Sequence, residues 1–573
     1  MKKIYGFLGA AALLALASCS DNNQDNPNVP DNGERNSFIN VQIGMKNVGS
    51  RADNLGTVGQ DFQYGTKEEN TINTLYLGFY SNGTLLELAD VTSLVGDAPE
   101  SNDPNNIAWT VQVRVLGATA QNANQVVAYA NIDESLLAGK SLTEVQAVTL
   151  DAPQGANGFP MSNSVYFNGE TPVYTAEITS DNFFVEGSNG TPVEIYIERV
   201  AAKVTVPEIT SVEAFVAYNV DGNAVDMTFV PEGWAVQATA TSTYVLKTPG
   251  TKLTWAVPTT TDYRYYWANS VGYNAFVGLP TGAEVDGEYE WSEANPTLNY
   301  VSYNNANDGE FAAGTNGVAY TSNGGAYMME NTFPAARLTA AADYNPWSGA
   351  TSVIIKGSYT TDANFTADAD GSFYIRPGVK SVTDEEGKTS LANVKYIYTE
   401  DQVIAEMLKS AYSVKKNGNS LTNNDVELVY VAGDDNSNPA NARYLQVKAD
   451  SGDTFTLSGE ASTADAVNAK LATLIVPAKL YTEGKAFFYV PLKHYVPSTQ
   501  TLENLSLEGV VEGNYGIVRN NWYALTVNSI KGLGTGVGDD EDTPLPDPED
   551  EVYYLDANIN VLQWHMRNQG VDL

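Results

Sequence analysis

Acidic side chains are the residues of this sequence whose spacing could support catalysis or metal binding. Part of a calcium-binding loop is matched by Asp368-Ala369-Asp370-Gly371, but the position that should supply a bidentate glutamate is Pro377. We therefore interpret the four residues as a turn before a strand at Phe373. Paired carboxylates of the glycosidase type need no local motif, and the candidates for such a pair are Asp343, Asp362, Asp368 and Asp370.

The two histidines and the single cysteine limit the remaining chemistry. His494 and His565 are far apart in sequence and do not suggest a metal cluster, and one cysteine cannot form an internal disulfide or a thiolate zinc site. His494 has no serine or aspartate at the spacing of a catalytic motif, and no serine lies in a Gly-x-Ser-x-Gly turn. We predict a protein that is not an enzyme and has no catalytic residue, metal or cofactor.

The charge balance excludes one class of partner. The 573 residues include 31 Lys and Arg against 69 Asp and Glu, which gives a net charge of −38. Because binding a phosphate backbone needs cations that replace its counterions, we expect no nucleic-acid partner. Charged residues make up 17 % and hydrophobic residues 43 %, so the chain should fold with a polar and largely uncharged surface.

The N-terminus has the pattern of an export signal. Lys2 and Lys3 precede an apolar stretch, Ile4 to Ala17, that is shorter than the roughly 20 residues a membrane helix needs. The stretch ends in Leu16-Ala17-Ser18-Cys19, which is similar to a bacterial lipobox. We predict that residues 1–18 are a lipoprotein signal peptide and that Cys19 carries the lipid anchor. The alternative is an ordinary signal peptide with a chance cysteine.

Short segments with alternating apolar and polar residues dominate the rest of the chain. This period of two is typical of antiparallel β structure. Two segments look helical, 133–148 and 400–412, and the second has an apolar stripe that should pack on a sheet. A parallel α/β architecture would need a helix after nearly every strand. We therefore predict an all-β protein of β-sandwiches with a few helical insertions.

Two apolar strands stand apart from the others, one near each end of the chain. The first is Phe38 to Val48, and it is followed by Arg51 in a small polar segment of the kind that proteases cut. Its apolar face consists of Ile39, Val41, Ile43 and Met45. The second follows an acidic Gly- and Pro-rich linker at 532–550, and its apolar residues are Leu555, Ala557, Ile559, Val561, Leu562, Trp564 and Met566.

An isolated apolar strand exposes a hydrogen-bonding edge that invites another chain to pair with it. The C-terminal strand can dock on its own domain, or it can complete a sheet in another copy by strand addition. A head-to-tail contact of the second kind builds a filament when it does not close. The linker can span at most about 60 Å at about 3.3 Å per residue, which is enough to cross a domain. The pattern alone leaves both possibilities open.

Several blocks of the sequence resemble one known family. Near the C-terminus they are Val518-Arg519-Asn520-Asn521, Tyr523, Ser529-Ile530-Lys531, Asn560-Val561-Leu562-Gln563-Trp564 and Val571-Asp572-Leu573. Earlier blocks are Ile197-Glu198-Arg199-Val200-Ala201-Ala202-Lys203, Gly371-Ser372-Phe373-Tyr374 and Lys380-Ser381-Val382. With the lipobox and Arg51, they resemble the fimbrillins of Bacteroidales type V pili, and most closely the minor-fimbrium shaft, or stalk, subunit of that family. Few residues between Pro207 and Glu330 contribute to the resemblance.

The resemblance implies two transthyretin-like Greek-key β-sandwich domains and a C-terminal donor-strand extension. In this sequence the N-terminal domain would span 52–190, and the C-terminal domain 191–531 with an insertion at about 383–480. The linker would be 532–550 and the donor strand 551–573. Residues 19–51 would form a tether and a propeptide strand that maturation removes.

The resemblance also implies an assembly route. The lipidated precursor is held by lipid of the cell outer membrane, where a protease of trypsin-like specificity cuts between Arg51 and Ala52. Removal of 19–51 opens a groove, which the donor strand of another copy fills. Copies then join head to tail, together with pilus tip and anchor subunits, in an extracellular fimbrium that supports adhesion.

Two other functions remain open at this point. The 34 tyrosines and eight tryptophans could stack on sugars in a monomeric surface lipoprotein that binds glycans. The chain could also be a tip or anchor component of the same pilus. Such a terminal subunit needs only one of the two isolated strands, whereas this chain has both.

Overall fold

The computed structural model describes residues 35, 37–44, 65–96, 108–206, 215–256, 264–273, 298–299, 319–320, 325–334, 350–383, 389–431, 441–495, 512–529, 532–538 and 565–572. Several predicted features lie outside these ranges: the signal peptide, Cys19, the cleavage site between Arg51 and Ala52, and the donor-strand residues from Leu555 to Trp564.

Strands dominate the described residues, which confirms the β-rich fold predicted from the alternating pattern. The first strands are β1 (Ser37–Gly44), β2 (Leu75–Ser81), β3 (Thr84–Asp90), β4 (Ala108–Val115), β5 (Gln125–Ala130), β6 (Thr149–Leu150), β7 (Met161–Asn163), β8 (Tyr166–Asn168), β9 (Thr171–Val173), β10 (Ala176–Glu177), β11 (Phe183–Val185) and β12 (Val193–Arg199). Next come β13 (Ala202–Thr205), β14 (Phe215–Tyr218), β15 (Ala224–Gln237), β16 (Thr239–Ala240), β17 (Thr243–Tyr244), β18 (Leu298–Asn299), β19 (Ala319–Tyr320), β20 (Gly325–Met328), β21 (Ser352–Thr361), β22 (Phe373–Thr383) and β23 (Thr389–Tyr398). The last are β24 (Val414–Lys416), β25 (Asn419–Ser420), β26 (Val426–Val429), β27 (Ala442–Val447), β28 (Phe455–Leu457), β29 (Glu460–Ser462), β30 (Ala478–Tyr481), β31 (Lys485–Pro491), β32 (Asn521–Ser529), β33 (Thr535–Gly536) and β34 (His565–Asp572).

Helices are short in the part of the chain that the structure describes. They are α1 (Lys67–Asn70), α2 (Gly117–Asn122), α3 (Leu142–Gln146), α4 (Glu400–Leu408) and α5 (Ala464–Leu474). The predicted helix at 133–148 is instead a 3-10 turn followed by α3, because Gly139 between them has a φ of +71°. Short 3-10 turns are Thr92–Leu94, Glu134–Leu136, Ser180–Asn182, Thr254–Ala256, Asn423–Asp425 and Thr482–Gly484.

The first sheet contains nine strands. Seven follow the order β11-β1-β12-β7-β5-β2-β3, while β4 pairs with β1 and β10 with β5. Apolar side chains along the sheet meet in one core, among them Ile39, Leu77, Val111, Val126 and Ile195. β12 belongs to this sheet and β13 to the next, so the chain changes sheet between Arg199 and Ala202, later than the predicted boundary at 190/191.

The second and third sheets pack on each other. The second has the order β19-β20-β13-β32-β34, and the third β26-β27-β30-β22-β23-β14-β15-β21-β31-β33. Their shared core includes Val204, Tyr523, Leu525, Phe229, Ile355 and Phe488. Smaller sheets have the orders β16-β18, β17-β6, β25-β24-β28-β29 and β8-β9. The Greek-key, transthyretin-like connectivity stays a prediction.

The predicted insertion at 383–480 contains both longer helices and a core of its own. Val403, Ile404 and Met407 of α4 are buried together with Val467 and Leu471 of α5. The predicted apolar stripe of α4 therefore packs inward, against strands of this region. The Thr399 side chain accepts a hydrogen bond from the Gln402 amide and caps the helix.

Residues 532–538, which the sequence assigns to the start of a linker, lie against the third sheet. β33 pairs with β31, and Leu533 and Val537 are buried. The Tyr359 hydroxyl donates to the carbonyl of Gly532 at 3.1 Å. The Tyr481 hydroxyl donates to the carbonyl of Gly534 at 3.2 Å. Any linker in this region therefore begins after residue 538.

The glycines of this segment permit close packing. A Cβ atom at Gly536 would come within 2.5 Å of the Leu480 carbonyl oxygen. Gly534 has a φ of +61°, in the left-handed region that glycine adopts without strain. Gly534 and Gly536 are therefore required by the backbone and its neighbours.

Candidate functional site

β1 is an interior strand of the first sheet. One edge pairs antiparallel with β4 along all eight residues, from Ser37 opposite Val115 to Gly44 opposite Ala108. The other edge pairs first with β11, antiparallel, and then with β12, parallel. β1 is thus held along both edges, so its removal would leave a slot between β4 on one side and β11 and β12 on the other.

The side chains of β1 alternate as the sequence predicts. Ile39, Val41 and Ile43 are fully shielded from solvent and belong to the core of the first sheet. Burial of an Ile or Val side chain contributes about 1.5–3 kcal/mol to stability. Loss of the strand would therefore uncover a row of apolar pockets as well as two hydrogen-bonding edges.

Arg35 precedes β1 and reaches a buried carboxylate. Its Nη1 lies 2.9 Å from Oε1 of Glu87, whose side chain is fully buried. The other carboxylate oxygen of Glu87 accepts from the Leu116 amide at 3.0 Å and the Thr119 hydroxyl at 2.7 Å. Sequence reasoning missed Glu87, although an acid within the apolar run from Leu85 to Ala89 is a usable signal.

The described C-terminal strand docks on the same chain. β34 pairs parallel with β32, with His565 opposite Asn521 and Met566 opposite Trp522. Among the residues that the structure describes, it lies at the end of the second sheet and pairs with one neighbour. This is the intramolecular arrangement that the sequence pattern leaves possible. Of the predicted donor residues, Met566 lies in β34, and the other six lie outside the described residues.

A buried polar cluster joins the first and second sheets, and Arg199, Lys203 and Asn520 supply much of it. Arg199, the last residue of β12, donates from Nε to the Glu69 carbonyl at 2.7 Å and from Nη1 to the Asn520 side chain at 3.0 Å. It also bonds to the Asn70 side chain. Nζ of Lys203 in β13 lies 2.8 Å from Oε1 of Glu69.

The pKa shifts of this cluster follow from burial and charge. Burial lowers the pKa of Arg199 to about 10. Burial alone would raise the pKa of Glu69, but the positive charges of Lys203 and Arg199 outweigh it, so this pKa lies below its ordinary value. The Glu69 carboxylate is therefore stabilised by two neighbouring cations.

Two further buried ion pairs lie near the same junction. Nζ of Lys247 lies 2.7 Å from Oε1 of Glu198, and burial lowers the pKa of Lys247 to about 8. Nη2 of Arg519 lies 2.7 Å from Oε2 of Glu330 and also donates to the Tyr244 carbonyl at 2.7 Å. These buried ion pairs indicate structural roles for Glu198 and Arg519.

His494 is bound on both ring nitrogens. Nε2 lies 3.0 Å from the Tyr266 carbonyl oxygen, and Nδ1 lies 2.8 Å from the Tyr523 hydroxyl. Because a carbonyl only accepts, a neutral ring carries its proton on Nε2 and accepts at Nδ1. This arrangement leaves neither nitrogen free to serve as a general base.

The candidate aspartates lie in turns. Asp370 accepts from the amide and hydroxyl of Ser372, and Asp368 accepts from the Glu400 amide, as expected for a turn before β22. Asp362 accepts from the Asn364 amide, and Asp343 lies outside the described residues. Within those residues, no three His, Cys, Asp or Glu side chains converge where they could bind a metal ion.

None of the helices in the described ranges has the length and apolar character that a membrane span requires.

Sequence comparison assigns a class to the C-terminal region. Residues 479–570 match the family described as "Major fimbrial subunit protein type IV, Fimbrillin, C-terminal". The matched range includes β31, β32, β33 and most of β34. No curated protein matches the chain. The match therefore concerns the C-terminal region of this chain, and it is to a domain of fimbrial subunits.

Two solved structures are similar to this chain at low sequence identity. A fimbrial assembly protein from Parabacteroides distasonis is 12 % identical, with 62 % of this chain and 98 % of that chain covered and a TM-score of 0.25. The tip fimbrial protein Mfa3 from Porphyromonas gingivalis, with a C-terminal truncation, is 12 % identical, with 62 % and 98 % covered and a TM-score of 0.26. Such TM-scores are too low for the superpositions to support a conclusion about this chain.

Proposed function

We propose that this chain is the shaft subunit of a cell-surface fimbria and polymerises by exchanging its C-terminal strand between copies. The observation that carries the proposal is the position of β1, an interior strand that lies within the predicted propeptide, 19–51. The fimbrillin match at 479–570 supports the assignment to a pilus. Polymerised subunits would form an extracellular fimbrium that supports adhesion, together with tip and anchor subunits.

Maturation would begin with the lipidated precursor at the outer membrane. Cys19 carries the lipid, and a protease of trypsin-like specificity cuts between Arg51 and Ala52. This cut separates β1 from the rest of the chain, so β1 is then held by non-covalent contacts alone. Its departure exposes the facing edges of β4 and β12 and the pockets of three apolar side chains. Such a slot favours any strand that can fill it.

The two strand positions differ in a way that favours exchange. Within the described part of the chain β34 pairs with one neighbour, β32, whereas a strand in the place of β1 pairs along both edges. A C-terminal strand that leaves its own subunit for the slot of another therefore gains a second row of backbone hydrogen bonds. The apolar residues from Leu555 to Val561 alternate as β1 does, so they can fill the vacated pockets.

Limited trypsin digestion followed by electron microscopy tests the proposal. The wild-type chain should form filaments after digestion, with mature subunits that begin at Ala52. A variant that lacks residues 551–573 should be cut at the same bond and stay monomeric, and Arg51→Ala should stay uncut and unassembled. Filaments of normal length from the truncated variant would overturn the strand-exchange mechanism.

A further inference from the structure

We propose that Glu87 is a charge socket in the strand-acceptor slot, filled in the precursor by Arg35 and in the polymer by Arg567 of a second copy. The inference rests on the proposed strand exchange. It adds to that exchange a residue pair that selects and positions the incoming strand.

The structure around Glu87 defines the socket. The Glu87 side chain is completely buried, and Oε2 is used by the Leu116 amide and the Thr119 hydroxyl. Oε1 is buried and accepts no hydrogen bond within the described residues, so its contact there is the ion pair with Arg35 at 2.9 Å. The Arg35 side chain is 41 % exposed, which shows that the cation enters the socket from the protein surface.

Cleavage after Arg51 would empty this socket. Arg35 lies in the same removed segment as β1, whereas Glu87 lies in β3 and stays with the mature subunit. A buried carboxylate that loses its cation is strongly unfavourable. A strand that supplies a cation at this end of the slot is therefore favoured over one that supplies only apolar side chains.

The C-terminal segment contains one residue suited to this place. Arg567 is the single Lys or Arg between residues 551 and 573. Arginine keeps its charge when buried and can donate several hydrogen bonds to a carboxylate.

The spacing of Arg567 from apolar residues matches that of Arg35. Ile39 and Val41 lie four and six residues after Arg35. Val571 and Leu573 lie four and six residues after Arg567, and Val561 and Ile559 lie six and eight residues before it. Alternate residues of a strand share a face. With Arg567 at Glu87, a donor strand that runs opposite to β1 places Val561 and Ile559 at the positions of Val41 and Ile43, and Gln563 at that of Ile39. A donor strand that runs in the direction of β1 places Val571 and Leu573 at the positions of Ile39 and Val41.

Polymerisation of full-length variants after limited trypsin digestion tests the socket. Light scattering follows the rate, and mass spectrometry confirms the cut at Arg51 and an intact C-terminus. Arg567→Gln should slow assembly by about tenfold or more, as expected for loss of a close charge pair. His565→Gln changes the other basic residue of the segment and should assemble at the wild-type rate. In a Glu87→Gln background, Arg567→Gln should have no further effect.

A peptide experiment tests the socket without relying on the folding of a variant protein. A synthetic peptide of residues 551–573 should inhibit assembly of the cleaved wild-type protein, and the same peptide with Arg567→Gln should inhibit at least about tenfold less strongly. Equal inhibition by the two peptides, or wild-type assembly rates for Arg567→Gln, would overturn the socket while strand exchange stands. If the cleaved wild-type protein forms no polymer, the exchange itself fails, and the socket with it.

Discussion

Nζ of Lys203 lies 2.8 Å from Oε1 of Glu69, and the two residues come from different parts of the fold. Lys203 is in β13 of the second sheet, whereas Glu69 is in α1, which leads into β2 of the first sheet. The Tyr327 hydroxyl contacts the same carboxylate. The pair therefore links two sheets through charges that water does not screen.

Replacement of Glu69 tests the strength of this link. Glu69→Gln should lower the free energy of unfolding by about 3 kcal/mol or more, because it leaves Lys203 buried without its anion. Chemical denaturation measures the loss. The matched control is Glu170→Gln, since the Glu170 side chain is 85 % exposed and pairs with Lys252 at the surface, where little effect is expected. Equal losses in both variants would contradict a special role for the buried pair.

The same carboxylate should contribute to acid unfolding. The pKa of Glu69 is lowered from 4.5 in the folded protein, so the unfolded chain takes up the proton first as the pH falls. The contribution of Glu69 is therefore fully present above pH 4.5 and decreases as the pH falls through the lower, folded pKa. Unfolding free energies measured from pH 7 to pH 3 should fall less steeply for Glu69→Gln. Parallel curves for variant and wild type would exclude this role.

A Cβ atom at position 536 should disturb the segment that follows β32. Gly536→Ala places this atom 2.5 Å from the Leu480 carbonyl oxygen, and we expect a loss of about 1–3 kcal/mol. Gly96→Ala is the control, because a Cβ there meets no atom within 4 Å. Thermal unfolding compares the two variants. If both are as stable as wild type, residues 532–538 are not packed as described.

Truncation of a β1 side chain should affect the precursor alone. Ile39→Ala should destabilise the uncut protein by about 2–5 kcal/mol through the cavity it creates. The effect should vanish after cleavage at Arg51 and loss of β1, since residue 39 then leaves the subunit. Gln42→Ala, on the other face of the strand, is the control. A mature protein that stays destabilised by Ile39→Ala would show that β1 is retained.

A charged substitution in the predicted donor strand distinguishes strand exchange between copies from docking of the strand within its own chain. Ile559→Asp should block filament formation and leave the melting temperature of the subunit nearly unchanged, because the side chain is needed in another copy. Asn560→Asp adds the same charge on the opposite strand face and serves as the control. Equal damage to filaments and to subunit stability would favour docking within one chain.

The alternating pattern was sufficient to predict the two features nearest the proposed function. The spacing of Ile39, Val41, Ile43 and Met45 predicts one apolar face, and the structure buries the first three, while Met45 lies outside the described residues. The stripe of α4 was predicted in the same way and packs inward. Both predictions succeed because burial of a face depends on local periodicity, which one sequence displays.

Contacts between distant segments could not be predicted in this way. The Gly-rich composition predicts a linker from 532, yet Gly534 lies close to Phe487, and Gly536 lies close to Leu480 and Tyr481. Ion-pair partners can be equally remote in sequence: Arg519 pairs with Glu330. A single sequence does not indicate which distant segments lie next to each other. The buried ion pairs could therefore be identified only from the structure.

The packing of residues 532–538 determines how the subunit would respond to force. In the proposed filament, tension on the residues that follow 538 would act first on β33, on its pairing with β31 and on the hydrogen bonds from Tyr359 and Tyr481. In the proposed polymer the C-terminal strand has left β32, which lies upstream of this segment and is therefore loaded only after these contacts break. A filament under shear would therefore stretch at this short attachment before the core of any subunit begins to unfold.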